Sequence, residues 1–268
     1  MANLSLSHSP DVNITEKQKS VMSGSLQIRV FPSTSELALS LAQVLVHESQ
    51  GSNGFKLGLS GGSLVQLLSR ELPKTPGLCT QDWKVALCDE RLLPFTDPES
   101  TYGEYQRHLI QHGVLSESQF VKIDPSLSVE EAAADYTRKL RELFPGSDVP
   151  SFDLLILGLG PDGHTASLFP GHPLLEEKDQ IVAPIKDSPK PPPERVTLTL
   201  PVINAAKTVV FVATGESKAG VLKRILQDAE SDPLPAARVA PTHGKLLWLL
   251  DEPAARELTC PVEKHSVL

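Results

Sequence analysis

The stretch Phe152-Asp153-Leu154-Leu155-Ile156-Leu157-Gly158-Leu159-Gly160-Pro161-Asp162-Gly163-His164-Thr165 carries the deciding pattern. Apolar residues run without alternation from Leu154 to Leu157 and stop at a glycine-rich turn. A strand with one wet face alternates apolar and polar residues, whereas a continuous apolar run suits a strand covered on both faces of a parallel sheet. On either side of this run, short apolar segments alternate with longer amphipathic ones. Leu26–Phe31, Phe55–Leu59, Trp83–Cys88, Ile181–Ile185, Val196–Leu200, Thr208–Ala213 and Leu246–Leu250 read as further strands. Helices are expected from a cap at Ser33 or Ser35 to about Ser49, and over Ser63–Leu72, Tyr102–His112, Val129–Phe144 and Ser217–Gln227. This β-then-α rhythm predicts an α/β fold: a doubly wound, mainly parallel sheet with helices on both faces.

The chain has 268 residues, of which 40% are hydrophobic and 22% charged, so it can bury a sizeable core. Folds of this class often hold about 250 residues in one domain. Residues 25–268 are accordingly expected to form a single compact domain. Residues 1–24, polar and serine-rich, are expected to be a disordered leader with no apolar segment of secretory type. No stretch approaches the roughly 18 apolar residues of a membrane helix. Three cysteines, Cys79, Cys88 and Cys260, show no paired spacing, which fits a reducing, cytoplasmic setting and argues against a disulfide scaffold or cysteine zinc site. A net charge of −8 argues against nucleic-acid or anionic-membrane partners. An anionic small molecule would need a local cationic pocket.

Ligands of open α/β sheets bind beyond the carboxyl ends of the strands, so the residues just past each strand are the candidates. After Phe55–Leu59 comes Ser60-Gly61-Gly62-Ser63, leading into a helix. Its glycines let the backbone approach a ligand, the helix amides favour an anion, and the two serines can add hydroxyls. An ordinary capped turn is the plainer alternative. After Trp83–Cys88 comes Asp89-Glu90-Arg91. Arg91 offers a fork for phosphate or carboxylate, and Asp89 can act as a base or orient a hydroxyl; a surface ion-pair cluster reads equally well. Gly158, Gly160 and Gly163 match G-x-G-x-x-G. The dinucleotide reading nevertheless fails: Pro161 interrupts the turn, Pro170 stops any helix after it, and no acidic residue lies about 20 positions on. His164, two residues after Asp162, can serve as a general base near neutral pH, or can be a structural loop histidine. Arg195 opens a strand. Lys218, at the start of a helix, opposes the helix dipole, a placement that a bound anion would rationalise. Pro184 to Pro193, rich in proline, reads as a stiff connecting loop, with a polyproline ligand for a partner or a lid edge beside a site as alternatives. His108 and His112 show no metal-ligand spacing beyond i, i+4 on a predicted helix, and read as a solvated face.

Taken together, Leu59 to Ser63, Cys88 to Arg91, Leu157 to Pro170, Arg195 to Pro201 and Gly215 to Lys218 resemble the 6-phosphogluconolactonase family, which groups with the glucosamine-6-phosphate deaminases. The likeness runs from about Leu26 to the C-terminus and is strongest to the animal single-domain members. It implies a deaminase/isomerase-like doubly wound fold, and hydrolysis of 6-phosphoglucono-δ-lactone in the oxidative pentose phosphate pathway without a metal or nucleotide cofactor. It also implies that His164 is the general base, that Gly61, Gly62, Ser63, Arg91, Arg195 and Lys218 gather around the phosphate, and that Asp89 faces the sugar. Asp162 is expected to set the imidazole tautomer, and amides of the Gly160–Gly163 turn to be oxyanion donors. The expected partner is a small sugar-phosphate lactone, and the expected state a monomer. A deaminase-type isomerase is one alternative, disfavoured because Ala166-Ser167-Leu168-Phe169-Pro170 contains no glutamate. A sugar-phosphate sensor without turnover is the other.

Overall fold

The computed structural model of the chain describes residues 26–265; the expected leader lies outside them. Eight strands form one parallel sheet: β1 (Leu26–Phe31), β2 (Lys56–Leu59), β3 (Lys84–Leu87), β5 (Phe120–Val121), β6 (Leu154–Gly158), β9 (Thr208–Ala213), β10 (Lys245–Asp251) and β11 (Glu263–Lys264). Their spatial order is β11-β1-β10-β9-β6-β2-β3-β5. Leu154 to Leu157 of β6 are completely buried at the centre, as their unbroken apolar run requires.

Alternate residues of each strand feed two separate cores. Leu155, Leu157, Val209, Phe211 and Trp248 face one side, where α4 (Val129–Leu143) and α6 (Ala219–Leu226) cover them. Leu154, Ile156, Val210, Val212 and Leu249 face the other, beneath α1 (Thr34–Ser49), α2 (Ser63–Glu71) and α3 (Thr101–Tyr105). The caps explain where the two long helices begin. Ser33 Oγ accepts the Glu36 amide at 3.2 Å, and Ser128 with Glu131 forms a reciprocal capping box.

Three expectations need correction. Ile181–Ile185 and Val196–Leu200 do not extend the main sheet. Their cores, β7 (Val182–Ile185) and β8 (Arg195–Leu198), form a separate antiparallel sheet with β4 (Asp89–Arg91), in the order β4-β8-β7. The chain changes sheets at Cys88, whose amide donates to Leu59 O in the main sheet while its carbonyl accepts from Leu198 in the small one. The expected helix over Tyr102–His112 is α3 followed by a π-helical turn, Gln106–Ile110. The helix expected from Ser217 starts with a 3₁₀ turn, Glu216–Lys218, and becomes α-helical only at Ala219. Sequence reading passes over β5, β11, α5 (Leu200–Asn204) and α7 (Glu252–Ala255), all too short to show a periodicity.

The strand order reverses between β2 and β6. β2 is followed by β3 on one side, β6 by β9 on the other, so the connecting segments diverge and leave a crevice at the carboxyl ends.

Candidate active site

A cavity of about 250 Å³ occupies that crevice. Ser60, Gly61, Gly62 and Ser63 border it from the end of β2, Asp89 and Arg91 from β4, and Arg195 from β8. His164 borders it from the turn after β6, and Lys218 from the turn after β9. Asp162 stands behind His164 and does not line the cavity. The ten residues picked out in the sequence therefore converge, nine on the walls and one in support.

The β2–α2 turn has the geometry of an anion cradle. Gly62 has φ +71° and ψ −144°, a conformation that side chains resist. Gly61 lies so close to Thr101 that a Cβ would sit 2.7 Å from Thr101 Oγ1. The Ser60 carbonyl is held by the Tyr105 hydroxyl at 2.7 Å. With the turn so fixed, Ser63 and Leu64 at the start of α2 border the cavity, where a helix N-terminus favours an anion.

The cations are unusually disposed. Arg91 and Arg195 are directly opposed across the β4–β8 ladder, where like charges destabilise the pairing. Arg195 is 4% exposed, and among the described residues it has no carboxylate within ion-pair distance. Its Nε donates to Pro192 O, and its Nη2 to the carbonyls of Lys190 and Pro191 at 3.1 and 3.0 Å. Burial presses its guanidinium below its ordinary value, and Arg91 adds to that. Lys218 also lacks an ion-pair partner among the described residues; burial and then the charge of Lys190 push its ammonium down. Arg91 is anchored by the Glu99 carbonyl at 2.7 Å. Three cations around a small cavity, two of them unpaired, favour a dianion between them.

The base end is a His–Asp pair. His164 Nδ1 lies 2.5 Å from Asp162 Oδ1. Burial would raise the Asp162 carboxyl, but the hydrogen bond and charge of His164, with Lys190 beyond, hold it down at about 2. An ionised carboxylate only accepts, so Nδ1 carries the proton and Nε2 is the free basic nitrogen. Burial lowers the imidazole below its ordinary value, opposed by Asp162, which keeps it neutral near pH 7. The pair rests on Gly160: a Cβ there would lie 1.9 Å from His164 Nδ1 and 2.7 Å from Asp162 Oδ1. Two of the amides expected to be oxyanion donors are already engaged within the turn. The Gly160 amide donates to His164 O at 2.8 Å, and the Gly163 amide to Gly160 O at 3.0 Å, so neither is free for a ligand.

Asp89, 8% exposed, accepts from the Ser167 hydroxyl at 2.7 Å and, among the described residues, is the single carboxylate on the cavity wall. Sequence reading leaves three supporting residues without a role. Glu90 turns away from the cavity and accepts the amides of Arg91, Thr101 and Tyr102 at 2.7–2.8 Å, tying β4 to the start of α3. Burial raises its carboxyl to about 7 against the pull of those amides. Phe169 packs its ring 4.8 Å from that of His164 and 5.7 Å from the Arg195 guanidinium. Lys190 reaches the pair at the base end. The signal for it lies in the proline-rich loop, for which a lid edge is the alternative to a plain connector. Among the described residues, no group of three or more His, Cys, Asp or Glu could hold a metal ion.

An anion cradle at a helix start, facing a His–Asp base across a switch-point crevice, defines a sugar-phosphate enzyme of the deaminase and lactonase type. The chain belongs to the glucosamine-6-phosphate isomerase/6-phosphogluconolactonase family, whose model matches residues 32–248. It is 59% identical over 251 residues to the 6-phosphogluconolactonase of Homo sapiens, covering 90% of this chain and 97% of that protein. It is 58% identical over 250 residues to the Bos taurus 6-phosphogluconolactonase, with the same coverage. The solved 6-phosphogluconolactonase of Trypanosoma brucei superposes with a TM-score of 0.78 at 27% identity, covering 87% of this chain and 98% of that one.

Proposed function

We propose that this protein hydrolyses 6-phospho-D-glucono-1,5-lactone to 6-phospho-D-gluconate, the lactone-opening step of the oxidative pentose phosphate pathway. The observation that carries the reading is the buried His164–Asp162 pair, set in the same cavity as Arg91, Arg195 and Lys218.

The phosphate enters the cradle of Gly61, Gly62 and Ser63, where the three cations meet its charge. This remote binding places C1 of the lactone before His164. Nε2 removes a proton from water as the water oxygen attacks C1, and Asp162 stabilises the imidazolium that forms. The tetrahedral intermediate collapses by breaking the bond from C1 to the ring oxygen. His164 returns its proton to that oxygen, and the acyl carbon is left as a carboxylic acid, which releases its own proton to solvent to give the product carboxylate. Asp89, held by Ser167, faces the sugar hydroxyls. All of these residues come from one chain, which supports action as a monomer, and the three free cysteines fit a cytoplasmic location. Among the described residues no helix is long and apolar enough to cross a membrane.

Decay of freshly made lactone, measured against its spontaneous rate, tests the reading. Wild type accelerates the decay, and His164→Ala loses at least about 10²-fold in kcat. Equal acceleration by both proteins would remove His164 as the base; acceleration by neither would leave a binding protein without turnover.

A further inference from the structure

Lys190 sits in the loop between β7 and β8, away from the cavity wall, yet its ammonium lies 3.3 Å from Asp162 Oδ1 and 3.2 Å from His164 Nδ1. Its place is built rather than accidental. Ser188 Oγ accepts the Lys190 amide and donates to the Lys190 carbonyl at 2.8 Å, and the Ser188 amide reaches Pro193 O. The same loop turns three successive carbonyls, those of Lys190, Pro191 and Pro192, onto the buried Arg195. One loop therefore clasps a cation of the anion cradle and places a second cation on the base.

Building on the hydrolysis described above, we propose that Lys190 is a positioning residue of the reaction: it anchors the Asp162 carboxylate against His164 and opposes a proton on the imidazole. A histidine beside a carboxylate alone is drawn toward its charged form, which cannot accept a proton from water. Lys190 has no hydrogen-bond acceptor to offer Nδ1, so its contact with the ring is purely that of a neighbouring charge. It therefore stabilises the neutral ring relative to imidazolium while donating to the carboxylate oxygen that fixes the tautomer. The other groups facing His164 are Asp162 from its own turn, Asp89 from β4 and the Phe169 ring. Lys218, from the turn after β9, feels the charges of Lys190 and Asp162. Asp162 and Asp89 both favour the imidazolium, and burial with Lys190 favours the neutral ring.

Lys190 is partly exposed, so Lys190→Met keeps the stem without burying a defect. The pH profile of kcat/KM for lactone hydrolysis is measured for wild type, Lys190→Met and Lys190→Arg. In Lys190→Met the acid limb moves to higher pH, so activity at pH 6 falls about threefold further, relative to pH 8, than in wild type. KM stays within about twofold, because a residue off the cavity wall adds no uniform binding. Lys190→Arg restores the wild-type profile. A profile that keeps its midpoint, or a rise in KM at constant kcat, overturns the proposal. A second readout needs no turnover: the ring titration of His164 followed by ¹⁵N NMR, with its signal assigned by loss in His164→Gln. The titration moves to higher pH in Lys190→Met, and an unmoved titration overturns the charge-balancing role. If wild type left lactone decay untouched, the hydrolysis reading would fall, while the ring titration would still report on Lys190.

Discussion

At the scale of single residues, the base is defined by what stands around it. His164 is a weak base that is neutral near pH 7 because burial counters the pull of Asp162. The direction of that shift fixes the pH response. Turnover holds through neutral pH and falls as acid protonates Nε2 below the ordinary histidine range. Asp162→Asn removes the charge and replaces an acceptor-only carboxylate with an amide that can also donate, so the tautomer is no longer fixed and kcat falls roughly 10²-fold or more while phosphate-dependent KM changes little. In the same variant the acid limb moves to lower pH, since a group that raised the imidazole is gone; a pH–rate profile reads both effects. Gly160→Ala acts on the same pair by contact alone. Its Cβ would lie 1.9 Å from His164 Nδ1, so the ring must move, and kcat drops with the fold intact. His164 and Asp162 were legible in the sequence because an Asp-Gly-His turn directly after a buried strand is compact. Lys190 was not, because 26 residues separate it from His164 and its loop has no period to read.

At the scale of elements, the short strand β4 and the start of α3 are held together by one buried carboxyl. Glu90 has a folded-state value near 7, above that of an unfolded carboxyl. Between about pH 4.5 and 7 the native state holds a proton that the unfolded chain has lost, so stability falls as pH rises through this window. Glu90→Gln removes that slope, and it also leaves one backbone amide without its acceptor, at a cost of about 1–3 kcal/mol. Thermal melts from pH 5 to 8 should show a lower Tm at pH 5 and a flatter profile than wild type. Because Thr101 packs against Gly61, loosening α3 also disturbs the anion cradle and raises KM. Leu26–Phe31, Thr208–Ala213 and the helix from Val129 were readable from apolar periodicity. β4 was not: Asp89-Glu90-Arg91 has a charged residue at each position, and it is a strand only because β8 lies beside it.

At the scale of the whole molecule, the anionic chain concentrates cations at one crevice, and the proposed function places the substrate phosphate there. Product binding should therefore stabilise the fold. At 100 times Kd, 6-phosphogluconate contributes about 2.7 kcal/mol, or a rise in Tm of roughly 5–10 °C for a chain of this size. Arg91→Ala should shrink that rise at the same ligand concentration; an equal rise in the variant would place Arg91 outside the binding site. The amino-acid sequence by itself determined the α/β class, the buried central strand, the Ser-Gly-Gly-Ser turn after β2, the Asp-Gly-His turn and the family likeness. Each of these is a local pattern of apolar period or short-range turn chemistry. Only the tertiary structure decided that β4, β7 and β8 leave the main sheet, that Arg91 opposes Arg195, and that the Gly160 and Gly163 amides are already engaged. It alone brought Lys190 to the base. Those facts depend on which distant segments meet, and that is settled by the packing of two cores around one sheet, where spacing along the chain carries no record of distance in space.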